Sequence, residues 1–232
     1  MVTATWLDSL SAERERIGRS STAGRVADAL RARVIEGQLL PGTRLSEEDI
    51  GEALGVSRNT LREAFRLLTH ERLLVHVFNR GVFVRTLDRD DIRDLYRFRR
   101  FIECSAVRYA GSVGSGTSAP SLTHLREAVT AGERASASGD WAAVGTANMH
   151  FHQALAALAG SPRVDDTMRH LLAELRLVFH VMADPRTFHE PYLEGNREIC
   201  SLLEQGRHDA AEAALAAYFD TAEAQLLAGM PD

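Results

Sequence analysis

Between residues 57 and 84 the apolar residues change period once, from helical to extended spacing, and that change narrows the possible folds sharply. Leu61, Phe65 and Leu68 recur every three or four positions behind Ser57, a favourable helix N-cap. Beyond His70-Glu71-Arg72 the pattern becomes Leu73-Leu74-Val75-His76-Val77, then Asn79-Arg80-Gly81, then Val82-Phe83-Val84. Two short apolar runs around a Gly-bearing tip predict a β-hairpin. Upstream, Ser46 precedes Glu47, Glu48 and Asp49, a second N-cap with acids where the helix dipole favours them, and Gly55 ends that helix. Val26, Leu30, Val34 and Ile35 predict an earlier helix of about three turns stopped by Gly37, and Leu40-Pro41-Gly42-Thr43 a turn. Three helices and a hairpin in this order predict a small winged helix-turn-helix domain over residues 20–86, preceded by a mobile arm at 1–19.

The remainder reads as helix throughout. Asp88 to about Gly111 is helical, residues 112–119 (SVGSGTSA) form a small-residue loop, and Pro120 to Gly229 is rich in Ala and Leu. Breaks near Gly139, Pro162, Pro185 and Gly206 divide that last stretch into about five helices. The expected fold class is therefore mainly α, an N-terminal winged helix-turn-helix followed by an all-α helical bundle over 87–232. The apolar runs are too short for a transmembrane helix, and the N-terminus lacks the apolar core and cleavage site of a secretory signal. A cytoplasmic protein with no membrane partner is expected. Cys104 and Cys200 stand far apart without partners at metal spacing, as two buried thiols in a reducing compartment would. The net charge of −5 hides a modest asymmetry: residues 1–86 carry 13 Arg against 11 acids, residues 87–232 carry 14 Arg against 21 acids. The basic excess falls on the half with the helix-turn-helix pattern.

In a helix-turn-helix the second helix enters the major groove and its N-terminal residues reach base edges. Here that helix opens Ser57-Arg58-Asn59-Thr60-Leu61-Arg62. Arg58, Asn59 and Arg62 fall on its exposed end; Arg bonds bidentately to guanine and Asn to adenine. Ser57 and Thr60 offer hydroxyls for phosphate contacts that fix register. The hairpin tip, Arg80 and Gly81, has the size and charge to enter an adjacent minor groove. Singly, each arginine is most simply a solvated charge. Together with the turn, the flanking helices and the hairpin, they predict a face for double-stranded DNA.

These residues carry a resemblance. Leu54-Gly55-Val56-Ser57-Arg58 followed by Leu61-Arg62-Glu63-Ala64 resembles the N-terminal domain of the GntR family of bacterial transcription regulators, over about Arg25 to Arg85. Asn59-Thr60 departs from it, because many relatives carry a Pro before the Val/Leu-Arg pair. The resemblance implies that Arg58 and Arg62 are the main base and phosphate readers, with Ser57, Thr60 and the Gly81 wing in support.

The second half interrupts its apolar stripes with polar residues. Arg99 lies in the stripe Ile92, Leu95, Arg99, Ile102, Ala106; Asn148 lies in Trp141, Val144, Asn148, Phe151, Leu155, Leu158, with His152 one turn on. Asn196 sits among Tyr192, Ile199 and Leu203, and Tyr218 between Leu215 and Ala222. A buried polar group without a partner costs about 1–3 kcal/mol, so four inward-aimed groups predict a shared network or a wet cavity. Arg99, Asn148, His152, Asn196 and Tyr218 would suit a small anionic organic ligand, with Arg99 as a two-pronged carboxylate clamp. Each residue alone could be a satisfied core group, and Asn196 could face solvent.

This half resembles the all-α FCD effector domain of the FadR-type GntR subgroup, through Phe98-Arg99 and Glu103, Asn148-x-x-Phe151-His152, Asn196-x-x-Ile199 and Ala214-Leu215 before Tyr218. Many FCD domains bind a divalent metal through an Asp, a His four residues later, and one His on each of two later helices. The resemblance places those ligands at Asn148, His152, Asn196 and Tyr218, where only His152 is kept. Neutral amides and a protonated phenol are poor donors to a transition metal. No cofactor is expected, and the pocket is expected to be metal-free or at most weakly occupied.

The expected function is a ligand-responsive transcription regulator that binds an inverted-repeat operator as a homodimer. One alternative is a DNA-binding protein without an effector, its pocket filled by side chains such as Phe151 and Phe179 closing onto Arg99. The other is an enzyme built on the helical domain. Against it, no nucleophile is paired with a base and His152 stands alone among the pocket residues.

Overall fold

The computed structural model describes residues 14–35, 37–113, 121–179 and 184–230, and the chain divides into two compact units, Met1–Thr86 and Leu87–Asp232. In the first unit α1 (Arg14–Ile35) packs on α3 (Arg58–His70), with α2 (Glu47–Leu54) between them in sequence. The caps are those the sequence implies. Ser46 accepts from the Asp49 backbone N–H at 3.2 Å, Gly55 closes α2 at φ +62°, and Ser57 accepts from the Thr60 N–H at 3.2 Å. Val26, Leu30 and Val34 of α1 meet Leu61, Phe65 and Leu68 of α3 in a core completed by Leu73, Leu74, Val82 and Val84. Arg31 on α1 forms an ion pair at 2.6 Å with Glu71, just past the end of α3.

The hairpin is β2 (Leu74–Val77) and β3 (Gly81–Val84), paired antiparallel from Leu74↔Val84 to Val77↔Gly81. Its tip turns through left-handed backbone at Asn79 and Gly81, the residue types that tolerate it. A strand that the sequence did not suggest, β1 (Arg44–Leu45), pairs with β3 on its other edge and gives a sheet of order β1-β3-β2. Two residues are too few to show a period. The mobile arm expected at 1–19 lies outside the described residues as far as residue 13. From Arg14 onward the chain is already α1, since Arg14-Glu15-Arg16 favours helix and no proline intervenes.

The second unit is helical throughout its described residues. Asp88 caps α4 (Arg89–Arg99), accepting from Asp90 and Asp91 N–H while Asp91 reaches back to the Asp88 N–H. The helix continues through a π-helical turn (Arg100–Cys104) into α5 (Ser105–Val113). Then come α6 (Thr123–Ala137), α7 (Trp141–Ala157), α8 (Pro162–Phe179), α9 (Pro185–Glu204) and α10 (His208–Gly229), the five helices expected. Of the expected loop at 112–119, Ser112 and Val113 finish α5, and the rest lies outside the described residues. Cys104 and Cys200 are both buried free thiols.

The π turn corrects one stripe. It adds a residue to the turn after Arg99, so the inward face moves by one position. Glu103 becomes fully buried, whereas Ile102, expected inside, is only half-buried.

Candidate functional sites

On α3 the residues Arg58, Asn59 and Arg62 are exposed together at the helix's opening turns, with Leu61 and Phe65 turned into the core behind them. The hydroxyls of Ser57 and Thr60 lie 2.9 Å apart, so capping the helix already engages both. Arg62 donates from Nε to both oxygens of Glu47 at 3.0 and 3.1 Å, an exposed pair joining α2 to α3. The pair holds the guanidinium near the start of α2 while leaving its outer N–H groups toward solvent. Arg80, at the hairpin tip, lies over the Phe83 ring at 5.9 Å.

Arg58 and Gly81 line one open cleft of about 550 Å3, with Arg44, Leu45, Ser46, Glu47, Glu48, Asp49, His76 and Val82. Helix α3 and the hairpin thus share a wall. The exposed Arg44, unremarked in the sequence because its strand is so short, stands beside Gly81 in this cleft. Phe78, 83% exposed beside the wing tip, is the other residue that sequence reasoning passed over; it falls between the hairpin runs and belongs to neither face.

In the helical unit the five candidate residues meet in one buried chain of hydrogen bonds. Asn196 Nδ2 donates to Asn148 Oδ1 at 2.7 Å, and the Tyr218 hydroxyl donates to the same oxygen at 2.9 Å. Tyr218 also stands 3.2 Å from His152 Nε2, and His152 Nδ1 stands 2.7 Å from Glu103. Glu103 accepts from Arg99 Nε at 3.0 Å. Asn196 is buried here and does not face solvent. Glu103 joins Arg99 to His152, yet the sequence reading gave it no role in the site.

Burial sets the proton positions. It raises the Tyr218 hydroxyl well above 10, so the side chain remains a phenol. Burial lowers His152 below 6.5 and outweighs the opposite pull of the Glu103 carboxylate, so the ring is neutral near pH 7. A neutral ring facing a carboxylate carries its proton on Nδ1, leaving Nε2 to accept. The single Tyr218 proton is then shared between His152 and Asn148.

Arg99 corrects an expectation. One edge of its guanidinium is taken by Glu103, and the group lies over the rings of Tyr96 at 5.0 Å and Phe219 at 4.7 Å. It is therefore not a two-pronged clamp open to a carboxylate. Two atoms of the network nevertheless lack partners, Arg99 Nη2 and Asn196 Oδ1. The aromatic residues on Arg99 are Tyr96 and Phe219, where Phe151 and Phe179 were named as the ones that could close on it.

The residues at the family's metal positions do not fit a divalent ion. The set offers one imidazole, two neutral amides and a phenol, all hydrogen-bonded to one another, and the nearby carboxylate is engaged by Arg99 and His152. Among the described residues no three His, Cys, Asp or Glu side chains are grouped to hold a metal.

A second buried histidine, His189 on α9, is held down to about 4 by burial and by the neighbouring Arg176 guanidinium. Its unfolded value near 6.5 is higher, so the unfolded chain takes up the proton first. This contribution to stability is complete above pH 6.5 and is lost as pH falls toward about 4, each unit worth up to about 1.4 kcal/mol. His152, also lowered, acts in the same direction. The melting temperature is expected to be flat from pH 8 to 7 and to drop between pH 6 and 4.5, with a shallower drop in His189→Gln. Equal acid slopes in the two proteins would contradict this.

Residues 22–84 match the bacterial regulatory proteins of the gntR family, and residues 94–221 match the FCD domain. The Nta operon transcriptional regulator of Aminobacter aminovorans is 46% identical over 70 residues, 30% of this chain; the match spans only about a third of that relative's length. The HTH-type transcriptional repressor RspR of Escherichia coli is 28% identical over 187 residues, covering 80% of each protein. The crystal structure of a putative transcriptional regulator, GntR from Rhodococcus sp. RHA1, superposes with a TM-score of 0.84 at 46% identity, covering 91% of this chain and 100% of that one.

Proposed function

Because the chain belongs to the gntR family of bacterial regulatory proteins, with an FCD domain behind its winged helix, we propose that it binds an inverted-repeat operator as a homodimer and that a small organic acid in the helical unit tunes its affinity for DNA. The winged helix within residues 20–86 is the output end, and residues 87–232 bind effector and dimerise. The readers are Arg58, Asn59 and Arg62, with Ser57, Thr60, Arg80 and Gly81 in support. The effector contacts are drawn from Arg99, Asn148, His152, Asn196 and Tyr218. The protein acts in the cytoplasm without enzymatic activity; no helix among the described residues is long and apolar enough to cross a membrane.

One observation carries the effector half of this reading. The buried network ends in two unpartnered atoms, Arg99 Nη2 and Asn196 Oδ1, one a donor and one an acceptor. Each costs about 1–3 kcal/mol unless something bonds to it, and a ligand hydroxyl, which both accepts and donates, would answer both. The dimer is supported by Phe98, Phe101 and Tyr109, exposed along α4, the π turn and α5, with Phe101 72% accessible. Two-fold protein symmetry would be matched by a two-fold operator.

A ligand changes DNA affinity only through different affinities for two arrangements of the reading heads. The test is a thermal-shift screen of small organic acids paired with anisotropy titrations on DNA from upstream of the regulated genes. At least one acid is expected to raise the melting temperature and to change operator affinity by about tenfold, within the usual coupling range. Operator binding that no stabilising acid alters would favour the second reading, a DNA-binding protein without an effector. That reading draws on the packing of Tyr96 and Phe219 over Arg99, which fills part of the polar core.

A further inference from the structure

We propose that Phe78, at the tip of the hairpin, reads A·T against G·C in the minor groove beside each half-site, with Arg44 and Arg80 meeting the phosphates on either side of it. This goes beyond the readers named above, none of which is apolar, and rests on the DNA-binding reading.

An exposed phenyl ring adds nothing to a core, and Phe78 is 83% exposed. Its place is set by the backbone. The Arg80 N–H donates to the Val77 carbonyl at 3.0 Å, closing a turn around Phe78 and Asn79, and the strands pair again at Val77↔Gly81. The ring is therefore carried outward on a closed turn between paired strands.

The charge around it identifies the occupant. From Arg72 to Arg85 the chain holds three arginines and His76 and no carboxylate. The sheet adds a fourth arginine. Arg44 pairs with Phe83 across β1 and β3, and its Nε would stand 3.5 Å from a methyl group at Gly81. Arg80 lies over the same Phe83 ring at 5.9 Å, and the exposed Val75 pairs with Phe83 from β2. The outer face of the sheet is thus apolar along its middle and cationic toward its tip, and Arg44 and Gly81 share a cleft with Arg58. A polyanion with an apolar recess answers both features. Duplex DNA has phosphates along both rims of a minor groove roughly 6 Å wide, which admits a ring set on edge.

The floor of that groove supplies the selectivity. A·T and T·A pairs present only acceptors there, adenine N3 and thymine O2, whereas G·C adds the guanine N2 amino donor. The edge of a phenyl ring is the positive part of its quadrupole, so it meets those acceptors favourably. Against guanine it would meet an amino group of like partial charge and bury an N–H without a partner.

The test uses the full chain to select duplexes from a random-sequence pool. The wild type is expected to enrich A·T pairs in the minor groove on the hairpin side of each half-site, and Phe78→Ala to enrich no base there. In the selected duplexes those pairs are then changed to G·C or to inosine·C, which lacks the amino group in the minor groove. In anisotropy titrations the wild type is expected to lose at least about fivefold in affinity on G·C and to recover it on inosine·C. Phe78→Ala, whose melting curve checks its fold, is expected to bind all three duplexes alike. Arg44→Ala and Arg80→Ala are each expected to weaken all three by one common factor and to lessen the dependence on salt. Equal wild-type affinity for G·C and inosine·C would overturn the role of the ring and leave the DNA-binding reading standing. So would discrimination that survives in Phe78→Ala or vanishes in Arg80→Ala, the latter because it would assign the readout to the arginine. If neither wild type nor variant selects any duplex, the DNA-binding reading falls together with this one.

Discussion

Arg58→Ala is expected to abolish specific operator binding while leaving fold and dimer unchanged. The side chain is exposed at the first position of α3, lines the cleft shared with the wing, and packs against no core residue, so its loss costs the fold little. A bidentate arginine contact to guanine is worth about 1–3 kcal/mol. A homodimer on an inverted repeat makes the contact twice, so affinity should fall by about 30-fold to 20,000-fold. What remains should resemble non-specific binding, steeply weakened by salt and indifferent to operator sequence. The measurement is an anisotropy titration of operator and scrambled DNA at two salt concentrations, with sedimentation to confirm the dimer. Retained discrimination between the two DNAs would remove Arg58 from the reading set.

Glu103→Ala is the second large effect, and it falls on stability. Glu103 is 0% exposed and bonds both Arg99 and His152. Its removal strands a buried guanidinium and takes the acceptor from a buried imidazole. Breaking one side of a buried ion pair costs about 3–5 kcal/mol. For a domain of this size that lowers the melting temperature by about 6–20 °C. Arg99→Met combined with Glu103→Leu removes both charges and should recover most of the loss, because the desolvation penalty goes with them. A double variant as unstable as Glu103→Ala alone would show that packing, and not the stranded charge, sets the cost.

The two halves of the molecule were legible in the sequence to different degrees. In the winged helix, Ser46, Gly55 and Ser57 act through their own backbone neighbours, so local chemistry located the caps, and the change of period located the hairpin. The two-residue β1 exists only because β3 offers it a free edge, and Arg44 could not be placed without it. In the helical unit the inward polar residues were visible as breaks in apolar stripes, since 3.6-residue spacing survives burial. Their partners were not. Glu103 was read past because the stripe assumed an unbroken α-helix, and the π turn after Arg99 moved it inside. Arg176 and His189 carry no mutual signal at all, being thirteen positions apart on separate helices.

The sequence by itself determined the element types, the helix ends and the five polar residues that face inward, because each follows from periodicity and from side chains acting on adjacent backbone. Only the tertiary structure decided what those residues are bonded to. Glu103 closes on Arg99 and His152, and Arg176 comes to stand beside His189, through contacts between different helices or across one irregular turn. Such contacts depend on how elements pack and where a turn gains a residue, and neither leaves a period in the chain.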